Sequence, residues 1–103
     1  MKILLCCSGG FSSSMVADAV VQAGKRQGKD VVCFAVASGN VENNIDGVQC
    51  VLMGPQEGYN IPNVKKVCDP LNIPVEIIPQ RDYGFVDGDA VLKLAESLIE
   101  NNK

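Results

Sequence analysis

The stretch KILLCCSGGFSSSMVADAVVQA, residues 2–23, joins a short apolar run to a segment of helical spacing through a turn rich in glycine and serine. Residues 3–7 have the length and apolar content of a buried strand. Beyond the turn, apolar residues recur every three or four positions, as on one face of a helix. The residues predicted to share that face are Met15, Val16, Ala19, Val20 and Ala23.

Three further apolar runs, at residues 31–37, 48–53 and 74–78, also predict strands, and helical spacing recurs at 64–71 and 91–98. Asn60 is a candidate cap for the second helix, and residues 41–45 predict one or two helical turns. Strands that alternate with helices favour right-handed connections and a parallel sheet. The prediction is an α/β fold, a small doubly wound four-stranded parallel sheet with helices on both faces, flavodoxin-like in architecture.

The composition is that of an ordinary globular protein, with 47% hydrophobic and 20% charged residues. Its 103 residues predict a single domain, 1–103. A net charge of -3 offers no attraction for a nucleic-acid backbone, so we expect no nucleic-acid partner. The short N-terminal apolar run is too brief for a membrane span, which predicts no direct membrane insertion.

The five cysteines are odd in number and show no CxxC spacing, which indicates a reducing, cytoplasmic setting. Adjacent strand residues face opposite sides of a sheet, so Cys6 should point into the core if Cys7 faces the loop. Cys33, Cys50 and Cys68 also lie in apolar segments and are predicted to be packing residues. Without histidine or an acidic cluster of ligand spacing, the chain predicts neither a metal site nor a cofactor.

Ligands of such sheets bind at the carboxyl ends of the strands, which directs attention to the loops at 7–14, 38–40, 54–59 and 79–86. In the first loop, Gly9 and Gly10 let successive N–H groups converge on one point, and the following helix adds its positive end. This predicts an anion cradle in which the thiolate of Cys7 is favoured as a nucleophile. The residues predicted to hold a phosphoryl group on Cys7 are Ser8, Gly9, Gly10, Phe11, Ser12, Ser13 and Ser14.

Other interpretations of this loop remain open. Cys7 could simply end a buried strand before a tight turn with a serine cap. The loop lacks the glycine spacing of a dinucleotide site and a Gly-Lys-Ser/Thr sequence, so cysteine chemistry on a phosphate is favoured over nucleotide binding. A redox protein, a phosphatase and a receiver-like signalling domain are the competing classes.

Three blocks of the chain, in order, resemble enzyme IIB of the sugar phosphotransferase system, lactose/cellobiose/chitobiose type. They are Lys2-Ile3-Leu4-Leu5 with Cys7-Ser8-Gly9-Gly10-Phe11-Ser12-Ser13-Ser14, Leu52-Met53-Gly54-Pro55-Gln56 with Tyr59, and Arg81-Asp82-Tyr83-Gly84 with Asp87-Gly88. The resemblance extends over essentially the full length. It departs from the family where Gly10 and Phe11 replace the frequent Ala and Met, and Cys6 is an additional thiol.

The resemblance implies a cytoplasmic, monomeric phosphocarrier. In such a protein, Cys7 accepts a phosphoryl group from the phosphohistidine of enzyme IIA and passes it to a sugar held by the membrane transporter, enzyme IIC. The donor imidazole would then belong to a partner, in keeping with the absence of histidine from this chain.

The main alternative is a hydrolase like the low-molecular-weight tyrosine phosphatases, which use a Cys-headed loop in a similar sheet. That family requires an Arg six residues after the Cys, where this chain has Ser13. Without that cation, a phosphatase would lose its main clamp on the transition-state oxygens. The sequence therefore favours phosphoryl transfer over hydrolysis.

Residues on the same loops are predicted to bind partner proteins. Exposed aromatic residues beside a nucleophile are typical of docking patches. Alternatives are that Phe11 folds back over the first helix and that Arg81 forms a structural ion pair. The predicted partner-binding residues are Phe11, Gln56, Tyr59, Arg81 and Tyr83.

Overall fold

A computed structural model describes the backbone of residues 1–7 and 11–102 and the side chains of residues 1–7 and 14–102. Short 3₁₀ segments occupy Ser38–Asn40, Glu42–Asn44, Pro55–Asn60 and Asp69–Leu71. The strands and α-helices are, in chain order, β1 (Lys2–Cys7), α1 (Phe11–Arg26), β2 (Val32–Ala37), β3 (Cys50–Met53), α2 (Ile61–Cys68), β4 (Val75–Ile77), α3 (Gln80–Gly84) and α4 (Gly88–Asn101).

The four strands form one parallel sheet in the order β2-β1-β3-β4. Cys7, the last residue of β1, pairs with Ala37 of β2, and Cys6 pairs with Met53 of β3. The strand order reverses at β1, because the chain passes from β1 to β2 on one side and returns to β3 on the other. This confirms the predicted parallel sheet and places its switch point at the carboxyl end of β1.

Helices cover both faces of the sheet, as predicted. Ile3 and Leu5 of β1 face α1 and α4, whereas Leu4 and Cys6 face α2 and the connection between β2 and β3. Both faces of β1 are therefore buried, which explains why its sequence is continuously apolar rather than alternating.

Helix α1 differs from the sequence prediction in two respects. It begins at Phe11, so its first turn contains residues predicted to belong to the preceding loop. Met15 is 55% exposed, whereas Ala17 is buried beside Val16 and Val20. At about 100° per residue, Met15 lies about 140° around the helix from Val20. The predicted face was therefore wrong at Met15.

The segment predicted as the last functional loop contains a short helix, α3, and ends at the start of α4. Asp87 caps α4, since its Oδ1 accepts a hydrogen bond from the Ala90 N–H at 3.1 Å. In the described part of the chain, no helix combines the length and apolar character needed to cross a membrane.

Candidate functional site

Cys7 lies at the carboxyl end of β1, where the sheet has its switch point. The residue is 2% exposed, and its strand lies between β2 and β3. On the β3 side, the Gly54 N–H donates to the carbonyl of Cys6 at 3.0 Å. The thiol is thus held by a rigid strand at the edge where parallel sheets bind their ligands.

The positive end of α1 follows Cys7 after three residues, 8–10. The first four N–H groups of an α-helix have no acceptor within the helix, and its dipole adds partial positive charge there. A bound anion is stabilised in such a position. The 16-residue length of α1 makes this a full helix end rather than an isolated turn.

The structure describes the predicted phosphate-binding residues only in part. Ser8, Gly9 and Gly10 lie outside the described residues, as do the side chains of Phe11, Ser12 and Ser13. Ser14 is exposed in the first turn of α1. The predicted roles of these residues, including docking by Phe11, therefore stay predictions.

A buried acid that the sequence analysis did not single out lies beside the end of β1. Glu57 is fully buried, and its Oε2 accepts hydrogen bonds from Asn60 Nδ2 at 2.8 Å and Ser38 Oγ at 3.4 Å. Asn60 was predicted to cap α2, but its side chain makes no capping bond. The prediction was wrong because the Asn60 side chain has other partners. Its Oδ1 accepts a hydrogen bond from Asn63 Nδ2 at 3.3 Å, and its Nδ2 donates to Glu57.

Two of the predicted partner-binding residues meet in a surface cleft of about 290 Å³. Gln56 follows β3 and Tyr83 lies on α3, and both line this cleft with Pro55, Gln80 and Gly84. Tyr59 lies outside the cleft and is 71% exposed. The sequence predicted that these residues lie at one edge of the sheet, but only the structure shows that Gln56 and Tyr83 line the same cleft.

Arg81 is exposed on α3. In the part of the chain that the structure describes, the ion pairs are Arg26 with Asp89 and Lys29 with Glu96, so the ion pair considered for Arg81 is not seen there. Phe85, just beyond α3, is 80% exposed and was missed by the sequence analysis. The sequence feature that could have identified it is an aromatic residue in the loop before the last helix.

The four thiols predicted to be packing residues are electrostatically unlike a reactive cysteine. Burial, first among the causes, raises the pKa of Cys6, Cys33 and Cys50 to about 12 and that of Cys68 to about 11. Nearby acidic groups act in the same direction for Cys6, Cys33 and Cys68. Thiols of this kind are protonated and inert at neutral pH.

We therefore expect native protein at pH 8 to resist alkylation by iodoacetamide at these four cysteines. The raised pKa lowers the thiolate fraction about a thousandfold for Cys6, Cys33 and Cys50, and about a hundredfold for Cys68. Peptide mass mapping after a timed reaction measures the modification of each cysteine. Protein unfolded in urea is the control and should react at all five cysteines, and rapid native labelling of Cys33 or Cys50 would contradict the expectation.

Among residues 1–7 and 11–102, no group of three His, Cys, Asp or Glu side chains is placed to hold a metal ion. The described part of the site contains a thiol, a helix N-terminus and a buried carboxylate.

Comparison with known proteins gives the site its context. Residues 2–94 match the sequence model of the family described as PTS system, Lactose/Cellobiose specific IIB subunit. The oligo-beta-mannoside-specific EIIB component of Bacillus subtilis is 32% identical over 100 residues, which cover 97% of each protein. The galactose-specific EIIB component of Lactococcus lactis subsp. cremoris is 31% identical over 102 residues, with 94% of each protein covered.

Solved structures show the same architecture. The cellobiose-specific phosphotransferase IIB component of Borrelia burgdorferi is 32% identical, with a TM-score of 0.81 over 100% of this chain and 94% of that one. The lactose-specific IIB domain of Streptococcus pneumoniae is 17% identical, with a TM-score of 0.84 over 95% of this chain and 96% of that one, and shows the fold alone. The chain belongs to the lactose/cellobiose-specific IIB subunits of the phosphotransferase system (PTS).

Proposed function

We propose that this protein is a cytoplasmic phosphocarrier of a sugar phosphotransferase system. Cys7 accepts a phosphoryl group from a phosphohistidine of enzyme IIA and passes it to a sugar of the cellobiose, chitobiose or lactose class bound by membrane enzyme IIC. The main support is the position of Cys7, at the end of β1 and three residues before α1, in a chain of the IIB family. The carrier acts as a monomer.

The first transfer moves the phosphoryl group from nitrogen to sulfur. The thiolate of Cys7 attacks phosphorus in line with the imidazole, the sulfur–phosphorus bond forms, and the nitrogen–phosphorus bond breaks. The proton released by the thiol is balanced by the proton that the imidazole nitrogen gains. The N-terminus of α1 and the amides of the Cys7 loop stabilise the charge on the phosphoryl oxygens.

The second transfer reverses this geometry with a different acceptor. A sugar hydroxyl attacks phosphorus, its proton is balanced by the proton that the Cys7 sulfur regains, and the sugar phosphate leaves. Both steps depend on positioning and charge stabilisation, so neither needs a general base from this chain. The mechanism assigns no residue to the activation of water, so we expect hydrolysis of the phosphorylated protein to be slow.

Intact mass spectrometry tests this function directly. The protein is incubated with phosphoenolpyruvate, the general phosphotransferase relay proteins and an enzyme IIA of the lactose/cellobiose type, and it is kept away from acid. We expect the gain of one acid-sensitive phosphoryl group and negligible hydrolysis of an aryl phosphate. A folded protein that gains no phosphoryl group from an active relay, or that hydrolyses the aryl phosphate rapidly through Cys7, would refute the proposal.

Arg81 is expected to act in docking rather than in the chemical step. Replacing it with alanine should raise the KM for phosphorylated enzyme IIA by about three- to tenfold, because a charge at the rim of an interface mainly steers association. Phosphorylation by a small donor such as phosphoramidate should be unchanged. Lys93→Ala, at an exposed position on α4, is the matched control. Loss of small-donor phosphorylation in folded Arg81→Ala would place Arg81 in the catalytic site instead.

A further inference from the structure

Glu57 is the one fully buried charged residue in the part of the chain that the structure describes. It lies in the 3₁₀ segment Pro55–Asn60, which leads away from the carboxyl end of β3. Burial of a carboxylate is unfavourable unless neighbouring groups hydrogen-bond it. Its place at the edge of the sheet that holds Cys7 suggests a role beyond packing.

The backbone keeps Glu57 close to the end of β1. The Gly54 N–H donates to the carbonyl of Cys6 at 3.0 Å, and the Glu57 N–H donates to the carbonyl of Gly54 at 2.9 Å. Two consecutive backbone hydrogen bonds therefore connect Cys6, near the end of β1, to Glu57. They do not involve the Glu57 side chain.

The side chain then reaches across the sheet edge. Ser38, which donates to Glu57 Oε2, directly follows β2, whereas Glu57 belongs to the segment that follows β3. Because β1 lies between β2 and β3, a carboxylate that joins these two sides passes the end of β1. The Glu57 carboxylate is thus next to the strand end that presents Cys7.

The charge of Glu57 acts at this strand end. The pKa of the Cys6 thiol is raised to about 12, chiefly by burial, and the negative charge of Glu57 contributes to the shift together with Cys68 and Cys7. Ser38 and Asn60 both donate hydrogen bonds to this carboxylate. In a buried setting, a like charge is screened far less than at the surface.

We propose that Glu57 increases the tendency of phosphorylated Cys7 to give up its phosphoryl group. This inference rests on the phosphocarrier function proposed above. A phosphoryl group on Cys7 adds a dianion beside the Glu57 carboxylate, and their repulsion destabilises the phosphorylated protein relative to the free thiol. Onward transfer to a sugar becomes more favourable. Glu57 itself forms and breaks no bond, so it tunes the site without being a catalytic residue.

The test compares Glu57→Gln with Ser38→Ala. Glutamine keeps the shape of the side chain and an oxygen that accepts hydrogen bonds, but it removes the charge, whereas Ser38→Ala removes one hydrogen bond and keeps the charge. Each protein is equilibrated with phosphorylated enzyme IIA at several ratios, and intact masses give the equilibrium constant for phosphorylation of Cys7. We expect about a tenfold increase for Glu57→Gln and less than a twofold change for Ser38→Ala.

Circular dichroism establishes that each variant is folded, and Glu57→Met provides a second neutral side chain of similar length. An unchanged equilibrium constant in a folded neutral variant, or an equal increase in Ser38→Ala, would overturn the inference while leaving the phosphocarrier function intact. If the native protein gains no phosphoryl group from an active relay, the proposed function fails, and the inference fails with it.

Discussion

The Cys7→Ser variant is expected to gain no acid-sensitive phosphoryl group under conditions in which the native protein is fully phosphorylated. A serine hydroxyl at neutral pH is almost wholly protonated and is a far weaker nucleophile than a thiolate. The nearby helix N-terminus stabilises anions but does not make a serine hydroxyl as nucleophilic as a thiolate. We expect the rate of phosphorylation by enzyme IIA to fall by at least about a thousandfold, as measured by intact mass over time.

Cys6→Ser is the matched control for this variant. Cys6 is the neighbouring strand residue, equally removed from solvent, but it lies in the cluster that faces α2 rather than the loop. Its replacement introduces a buried hydroxyl and lowers stability by about 1–3 kcal/mol without removing the acceptor sulfur. Full phosphorylation of folded Cys7→Ser would show that Cys7 is not the carrier residue. A loss of phosphorylation in folded Cys6→Ser but not in Cys7→Ser would show the same.

The Gly88→Ala variant is expected to lose about 3 kcal/mol of unfolding free energy. Gly88 is the first residue of α4, and a Cβ built there would overlap the carbonyl carbon and oxygen of Ala19 on α1. These are backbone atoms, which cannot move aside as the end of a flexible side chain can. The two helices would have to separate where they share a buried core.

Urea unfolding of Gly88→Ala, followed by circular dichroism, gives the change in stability, and the melting temperature should fall by about 15 °C. Gly84→Ala is the control, because Gly84 is also helical and a Cβ there meets no atom within 4 Å. The control should be neutral or more stable by about 0.5 kcal/mol, since alanine favours helix. A loss below about 1 kcal/mol in Gly88→Ala would show that α1 and α4 can separate at small cost.

The sequence predicted the sheet because the signals for its elements are local. The apolar run at 3–7 forms β1, which also includes Lys2. Because successive strand residues alternate between faces, Ile3 and Leu5 lie on one face of the sheet and Leu4 and Cys6 on the other. The same local reasoning placed Cys7 at the edge of the sheet that binds ligands. Helix boundaries were less accurate, since α1 begins within the predicted loop.

The sequence by itself therefore determined the α/β class, the parallel sheet and the place of Cys7 at the carboxyl end of its first strand. Only the tertiary structure decided that Glu57 and Ser38 meet past the end of β1, and that Gln56 and Tyr83 share a cleft. These contacts depend on the strand order β2-β1-β3-β4, which brings together loops that are distant in the chain. Strand and helix periods are properties of neighbouring residues, whereas the adjacency of loops is set by how the whole sheet is assembled.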